Sequence, residues 1–114
     1  MLPENVRTLV DRVLTAGSAR SAVALRRDVY AYVAALVRDM PAPAPLPPAL
    51  DPYIRKVALN AYQVLDRDVN AMQAAGSGVE EVFELTVVAA VSAGVTRLEI
   101  ALAALEEVAD APAD

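Results

Sequence analysis

Six of the eight prolines in the chain crowd into twelve residues, "PAPAPLPPALDP" at positions 41–52. Proline fixes φ and removes an amide donor, so neither a helix interior nor a central strand can run through such a block. The chain is therefore expected to fold as an N-terminal helical hairpin, residues 1–40, and a three-helix core, residues 51–110. The connector at 41–52 should be stiff and polyproline-like, advancing about 3.1 Å per residue. It reads as a spacer. Binding to a proline-recognising module is disfavoured, since Ala fills the intervening positions and no flanking basic residue helps. At 114 residues the parts together make one domain with a single core, small enough to gain from self-association.

Helical spacing recurs on both sides of the block. In "PENVRTLVDRVLTAG", Val6, Leu9, Val10, Val13 and Leu14 fall at i, i+3, i+4, i+7 and i+8, with Pro3 and Glu4 in the first turn and Gly17 past the end. After Ser21, a second pattern runs through Leu25, Val29, Tyr32, Val33, Leu36 and Val37 until Pro41. Asp51 as N-cap and Pro52 open a third helix with Ile54, Val57, Ala58, Ala61, Val64 and Leu65 as its stripe. Asp66 should cap a short fourth helix that turns Val69 and Met72 inward and ends at Gly76 in a left-handed conformation. "SGVE" places Ser77 and Glu80 at capping-box spacing, so a fifth helix is predicted from Gly78 to about Ala109, roughly 48 Å long at 1.5 Å per residue. The β-branched run "LTVVAAV" permits a strand in isolation, but the cap and the later period through Leu98, Leu102 and Leu105 favour helix. The expected fold is all-α, a bundle of about five helices with a long C-terminal one. The composition agrees: 56% hydrophobic with 4% aromatic residues means a core of Ala, Val and Leu, suited to close-packed helices.

Several chemistries are excluded by residues the chain lacks. With no cysteine and no histidine it can form no disulfide, no thiolate nucleophile and no site from the usual zinc ligands, and no cofactor is implied. A net charge of -5 argues against nucleic acid, which demands clustered Lys and Arg. The charge is uneven, +2 over residues 1–40 and -7 over residues 41–114. A basic N-terminal part could thus find an acidic face of its own or a neighbouring chain. Solvated helix surfaces explain the imbalance equally well. The longest apolar run of the C-terminal half, Leu85 to Val95, is about half the ~20 residues of a membrane span, and Glu4, Arg7, Asp11 and Arg12 interrupt any signal-peptide pattern. No membrane association and a cytoplasmic location are the expectations.

Arg97 is the residue out of place. Stepping 100° per residue, it falls within an arc formed by Val79, Phe83, Thr86, Ala90, Ala93, Gly94, Ala101, Ala104, Leu105 and Val108, predicted to be the helix's apolar, inward face. The small residues around it would let another helix approach closely. Glu81, Glu84, Ser92, Thr96, Glu99, Glu106 and Glu107 occupy the opposite arc. A buried guanidinium needs acceptors, since breaking a buried pair commonly costs ~3–5 kcal/mol. Asp66, Asp68, the carbonyls at a helix C-terminus or an acid from another subunit are the candidates. A fixed salt bridge or helix-end contact is the leading reading, ahead of a ligand carboxylate or phosphate and of a rim position whose stem snorkels.

Other motifs carry little chemistry. "DRDVN" has the first three side-chain spacings of a calcium loop, but Ala71 occupies the required glycine position and Ser77 that of the twelfth-position Glu. "GSG" around Ser77 resembles an anion nest without the lysine or the preceding strand of a phosphate loop. Ser77 as nucleophile would need Lys56 or a carboxylate as base. Glu80, Glu81 and Glu84 favour the helix dipole more than general-base work. Tyr30, Tyr32, Tyr53 and Tyr62 read as core-edge rings, with a pocket lining as the alternative.

"DRDVNAMQAAG", "VEEVFEL" and "TRLEIALAAL", within about residues 64–105, together resemble the C-terminal helical half of the alkyl hydroperoxidase D-like and carboxymuconolactone decarboxylase family. The resemblance implies an all-helical fold, homo-oligomers built through packed helices, and Arg97 at the family's arginine. The redox members of that family act through a Cys-x-x-Cys pair with a nearby His, and nothing here matches those positions, so thiol peroxidase activity does not carry over. The asparagine beside the family's arginine is also missing, where this chain has Ala93 and Thr96. A redox-inactive, non-catalytic helical scaffold or interaction protein is the favoured expectation, self-associating and with a possible protein partner. A small-molecule binding module with Tyr62, Tyr53 and Arg97 around a mostly apolar cavity is the alternative, with Asp66 as a further ligand or interface residue. An enzyme using only carboxylates, Tyr, Lys56 or Arg97 comes last.

Overall fold

Helix formation follows the apolar spacing on both sides of the proline block. The computed structural model describes residues 2–16 and 21–110, and every regular element among them is helical. In chain order these are α1 (Glu4–Thr15), α2 (Val23–Val37), α3 (Asp51–Asn60), a single 3-10 turn (Ala61–Gln63), α4 (Asp66–Ala74) and α5 (Val79–Asp110). The fold class, the number of helices and the long C-terminal helix match the sequence expectation. Gly17, expected just past α1, lies outside the described residues.

The 32-residue α5 is the axis on which the other four helices rest, with α2 laid along it most extensively. Val29 and Val33 of α2, Ile54 of α3, and Leu85 and Val88 of α5 are the largest fully enclosed apolar side chains. Each such side chain contributes about 1.5–3 kcal/mol by leaving water. Met72 of α4 joins this core and Val69 packs against it, as the spacing predicts. The proline block is more than a spacer: Leu46 and Leu50 are both buried in the same core. The two residues that can pack, set among prolines that cannot extend a helix, fasten the connector to the bundle.

Helix ends show where local chemistry outweighs the apolar period. α2 stops at Val37 rather than running to Pro41, because Asp39 takes a left-handed conformation, φ 55°, while Met40 N–H donates to Ala35 C=O and Asp39 N–H to Leu36 C=O. α4 ends in the same way, with Gly76 at φ 104° and the amides of Gly76 and Ser77 returning to the carbonyls of Gln73 and Met72. The left-handed glycine was legible in the sequence; the left-handed aspartate was not.

Other boundaries require correction. α3 ends at Asn60, so Ala61, Val64 and Leu65 do not extend its stripe, and Leu65 is exposed. Asp51 is the first helical residue, one place inside the cap, since the Pro47 carbonyl already receives the amides of Leu50 and Asp51. Its carboxylate instead accepts the Tyr32 hydroxyl. Asp66 likewise opens α4 from inside, and the capping carboxylate is Asp68, whose Oδ2 accepts the Leu65 N–H at 2.8 Å. Just before α2, the Ser21 amide and hydroxyl both donate to Glu84 Oε1 at 2.7 Å, tying the start of α2 to α5.

Candidate functional site

The four residues singled out by sequence do not converge. Tyr53 on α3 is buried, and its hydroxyl lies 2.6 Å from Thr86 Oγ1 on α5. Thr86 spends its proton on the Val82 carbonyl, so Tyr53 is the donor in a chain that ties α3 to α5. Tyr62, on the 3-10 turn, is 82% exposed and reaches only Asn60 Oδ1 at 3.4 Å. Asp66 sits exposed at the start of α4, where its charge favours the positive end of the helix dipole. Tyr53 borders a cavity of ≈ 180 Å³ together with Lys56, Asp68 and Met72, and Arg97, Tyr62 and Asp66 do not line it.

Arg97 is not buried. It stands on the outward side of α5, and its Nη2 donates to the Ala58 carbonyl at 2.8 Å. Ala58 belongs to the last turn of α3, whose final carbonyls have no intrahelical partner and whose dipole end favours a cation. Arg97 therefore makes a helix-end contact, one of the arrangements anticipated for it. Asp68, another anticipated partner, is held by Lys56 Nζ, 3.1 Å from both its oxygens. The Leu65 amide and then the Lys56 ammonium hold the Asp68 carboxyl below its usual range.

Sequence reading missed a second arginine with the same task. Arg26, in the first turn of α2, is only 3% exposed; its Nη1 donates to Val13 C=O and its Nη2 to Ala16 C=O, each at 3.2 Å. It closes the C-terminal end of α1, and its Nε is buried without an acceptor. Arg26 stands at i-3 from Val29 and i-7 from Val33, so the helical stepping applied to Arg97 would have placed it on the buried face of α2. Beside it, between α1 and α5, is a cavity of ≈ 210 Å³ bordered by Arg12, Val13, Phe83, Glu84 and Val87. That is below the ~300–1,000 Å³ of ordinary ligand pockets. Both terminal nitrogens of Arg26 are engaged by α1, which leaves little of its charge for a guest.

Ser92 Oγ donates 2.7 Å to the Tyr30 carbonyl, fixing α2 against the middle of α5. Burial pushes the Tyr30 phenol above its ordinary pKa, and Glu99 adds to this. Burial likewise raises Tyr32, reinforced by its hydrogen bond to Asp51. Both rings are thus neutral structural groups at neutral pH. Among the described residues no three carboxylates gather in a way that could hold a metal ion.

The face of α5 that meets the core is the opposite of the one expected. Val82, Leu85, Val88, Ala89, Ser92, Ala93, Val95 and Thr96 are buried. The arc assigned inward faces water along most of its length, with Phe83 68%, Leu105 65% and Val108 74% exposed, and Ala90, Gly94 and Ala101 open as well. The reason is physical: Ser92 and Thr96 are small enough to bury, and the Ser92 hydroxyl is satisfied by the Tyr30 carbonyl, so polar identity alone does not mark the solvent side. An apolar seam is left bare at Phe83, Ala90, Gly94, Leu98, Ala101, Leu105 and Val108, with Val87 partly covered. Their spacing of four and three residues is that of a helix-pairing surface. A side-chain carbon placed on Gly94 would meet nothing within 4 Å.

α5 is also long and apolar enough to cross a membrane by length and composition, although a third of its most apolar window is buried inside the bundle. Counting only the uninterrupted run from Leu85 to Val95 understated its hydropathy. No family model matches the chain, and neither does any curated protein or solved structure.

Proposed function

We propose that this chain is a non-catalytic, redox-inactive helical scaffold that works by association, first with itself. The observation that carries the reading is the bare apolar seam of α5, which leaves a strongly hydrophobic surface on a bundle whose core is already filled from the other side. Exposed contiguous apolar surface of this kind marks an interaction site. The side chains with catalytic potential are occupied otherwise: Lys56 with Asp68, Tyr53 with Thr86, Tyr32 with Asp51, and Arg26 and Arg97 with helix ends. A chain without Cys or His has no thiol centre to offer.

In this reading the kinship with the alkyl hydroperoxidase D-like and carboxymuconolactone decarboxylase family, suggested by the residues of the C-terminal half, extends to the helical platform and its habit of assembling, not to the redox chemistry. A further protein would dock on the assembled platform, and the working place is the cytoplasm. Light scattering across a dilution series tests the proposal. A mass that rises above 12.0 kDa with concentration supports a self-associating scaffold. A mass fixed at that of one chain throughout overturns it.

A further inference from the structure

The seam on α5 has a size pattern that selects its occupant. Large side chains stand at Phe83, Val87, Leu98, Leu105 and Val108, and small ones at Ala90, Gly94 and Ala101. Laid antiparallel on itself about a two-fold axis at Gly94, the seam brings Leu98 opposite Ala90, Val87 opposite Ala101 and Phe83 opposite Leu105. Each large group meets a small one next to the axis, and the largest meet where the helices diverge. A parallel pairing would set every position against itself and stack Ala90, Gly94 and Ala101 on their own kind, leaving voids. From these observations we infer that the occupant is a second copy of this chain, paired antiparallel through α5 in a self-complementary two-fold interface. The inference rests on the self-associating reading above and names its surface and register.

The shape of the molecule supplies a second reason. The salt bridge from Arg38 to Glu99, 3.9 Å long, links α2 and α5 near the edge of the bundle, and almost every residue from 100 to 110 is exposed. α5 thus extends about 16 Å beyond its last packed turns, and a free helical segment of that length is marginal in water. Reflection about Gly94 lays residues 100–108 of one copy along residues 80–88 of the other. Each projecting end then covers the stretch in which its neighbour bares Phe83. The seam is about 38 Å long on a helix about 10 Å across, which offers roughly 400 Å² per copy. That falls below the ~800 Å² per partner of a standard stable interface. The dimer is therefore dissociable, formed by monomers that are already folded.

The cysteine-free sequence makes the test clean, because any thiol introduced is the only one present. Under mild oxidation Gly94→Cys should cross-link to itself. Val87→Cys and Ala101→Cys should each remain uncross-linked alone, and should join when mixed. Leu98→Lys combined with Leu105→Lys should hold the chain at monomer mass with unchanged helix content, since both positions face water in the monomer. A dimer that survives the double lysine change, or that forms without the Gly94→Cys cross-link, overturns the seam and its register while leaving the scaffold reading intact. A monomer at every concentration overturns both. Flotation of the unmodified chain with phosphatidylcholine–phosphatidylglycerol vesicles, abolished by the same lysines, would assign the seam to a membrane instead and overturn the second copy as its occupant.

Discussion

The two faces of α5 have nearly the same appetite for leaving water and opposite fates. One carries Val82, Leu85, Val88 and Ala89 into the core; the other carries Phe83, Ala90, Leu98, Leu105 and Val108 into solvent. The difference is in what each face meets. The buried side receives α2, α3 and α4, and it includes Ser92, whose hydroxyl finds the Tyr30 carbonyl. Among the described residues the bare side is bordered by α1 at Phe83 and Val87 and left open from Ala90 onward. A helix that is apolar nearly all round must be covered on more than one side; the bundle covers one side of α5, and the proposed self-association would cover the other.

The comparison breaks most visibly under truncation. Leu85→Ala should cost about 2–5 kcal/mol, because Leu85 is 1% exposed within the apolar core and its truncation leaves a cavity that close packing cannot fill. Leu105→Ala, on the other face, should change the unfolding free energy of the dilute monomer by less than about 0.5 kcal/mol. Urea unfolding at low protein concentration measures both. Equal losses would mean that the two faces are equally buried and would remove the basis of the comparison.

The next effect concerns how α1 joins the bundle. No residue of α1 is fully buried, and its C-terminal carbonyls hang on Arg26. Arg26→Leu should withdraw both donors and cost about 1–3 kcal/mol. The loss should be local: amides of Val6–Thr15 should exchange faster with deuterium, while those of α2 and α5 keep their protection. Arg97→Ala is the milder counterpart, about 1 kcal/mol from the single bond to Ala58, because Arg97 is exposed and water can replace it. An unchanged melting temperature for Arg97→Ala would remove the helix-end role assigned to that arginine.

The helix ends separate what a sequence can reveal from what it cannot. Gly76 was legible as a left-handed terminator because glycine adopts φ > 0 without strain. Asp39 takes the same role in α2, which aspartate does only occasionally, so its identity is a weak signal. Gly76→Ala should therefore destabilise by about 1 kcal/mol, and Asp39→Gly should stabilise by about 0.5 kcal/mol, by thermal unfolding. The all-α class, the five helices and the long C-terminal one could be read from the apolar period, a local property; α5 begins at Val79, one residue later than the Ser77 cap implied. The choice of face could not. On α5 both arcs satisfy the apolar period, and which becomes the core depends on the positions of α2 and α3, a tertiary outcome. The same logic misplaced the candidate site. Tyr53, Tyr62, Asp66 and Arg97 are polar groups on amphipathic segments, but each satisfies its own local hydrogen-bond or dipole need, and the cavity beside Tyr53 is not lined by the other three.

The smallest effect is one of pH. Asp68 joins the start of α4 to α3, through the Leu65 amide on one side and Lys56 on the other. Both contacts favour its charged form, the amide more, so its folded pKa lies below the ordinary value of 3.8 that the unfolded chain retains. For a carboxylate shifted in this direction, the unfolded state takes up protons first as the pH falls. The stabilisation is fully present above the unfolded value and is lost as the pH drops through the folded one. Asp68→Asn keeps the side-chain shape but removes the charge on which Lys56 depends. At neutral pH the variant should melt slightly lower than the parent, and the gap should narrow as the pH falls below the unfolded value of 3.8 and close once it has dropped through the lower folded one. Melting temperatures across that range decide it. A gap independent of pH would mean that Asp68 acts through hydrogen-bond geometry alone, and the Lys56 pair would then contribute nothing, as many solvent-screened ion pairs do.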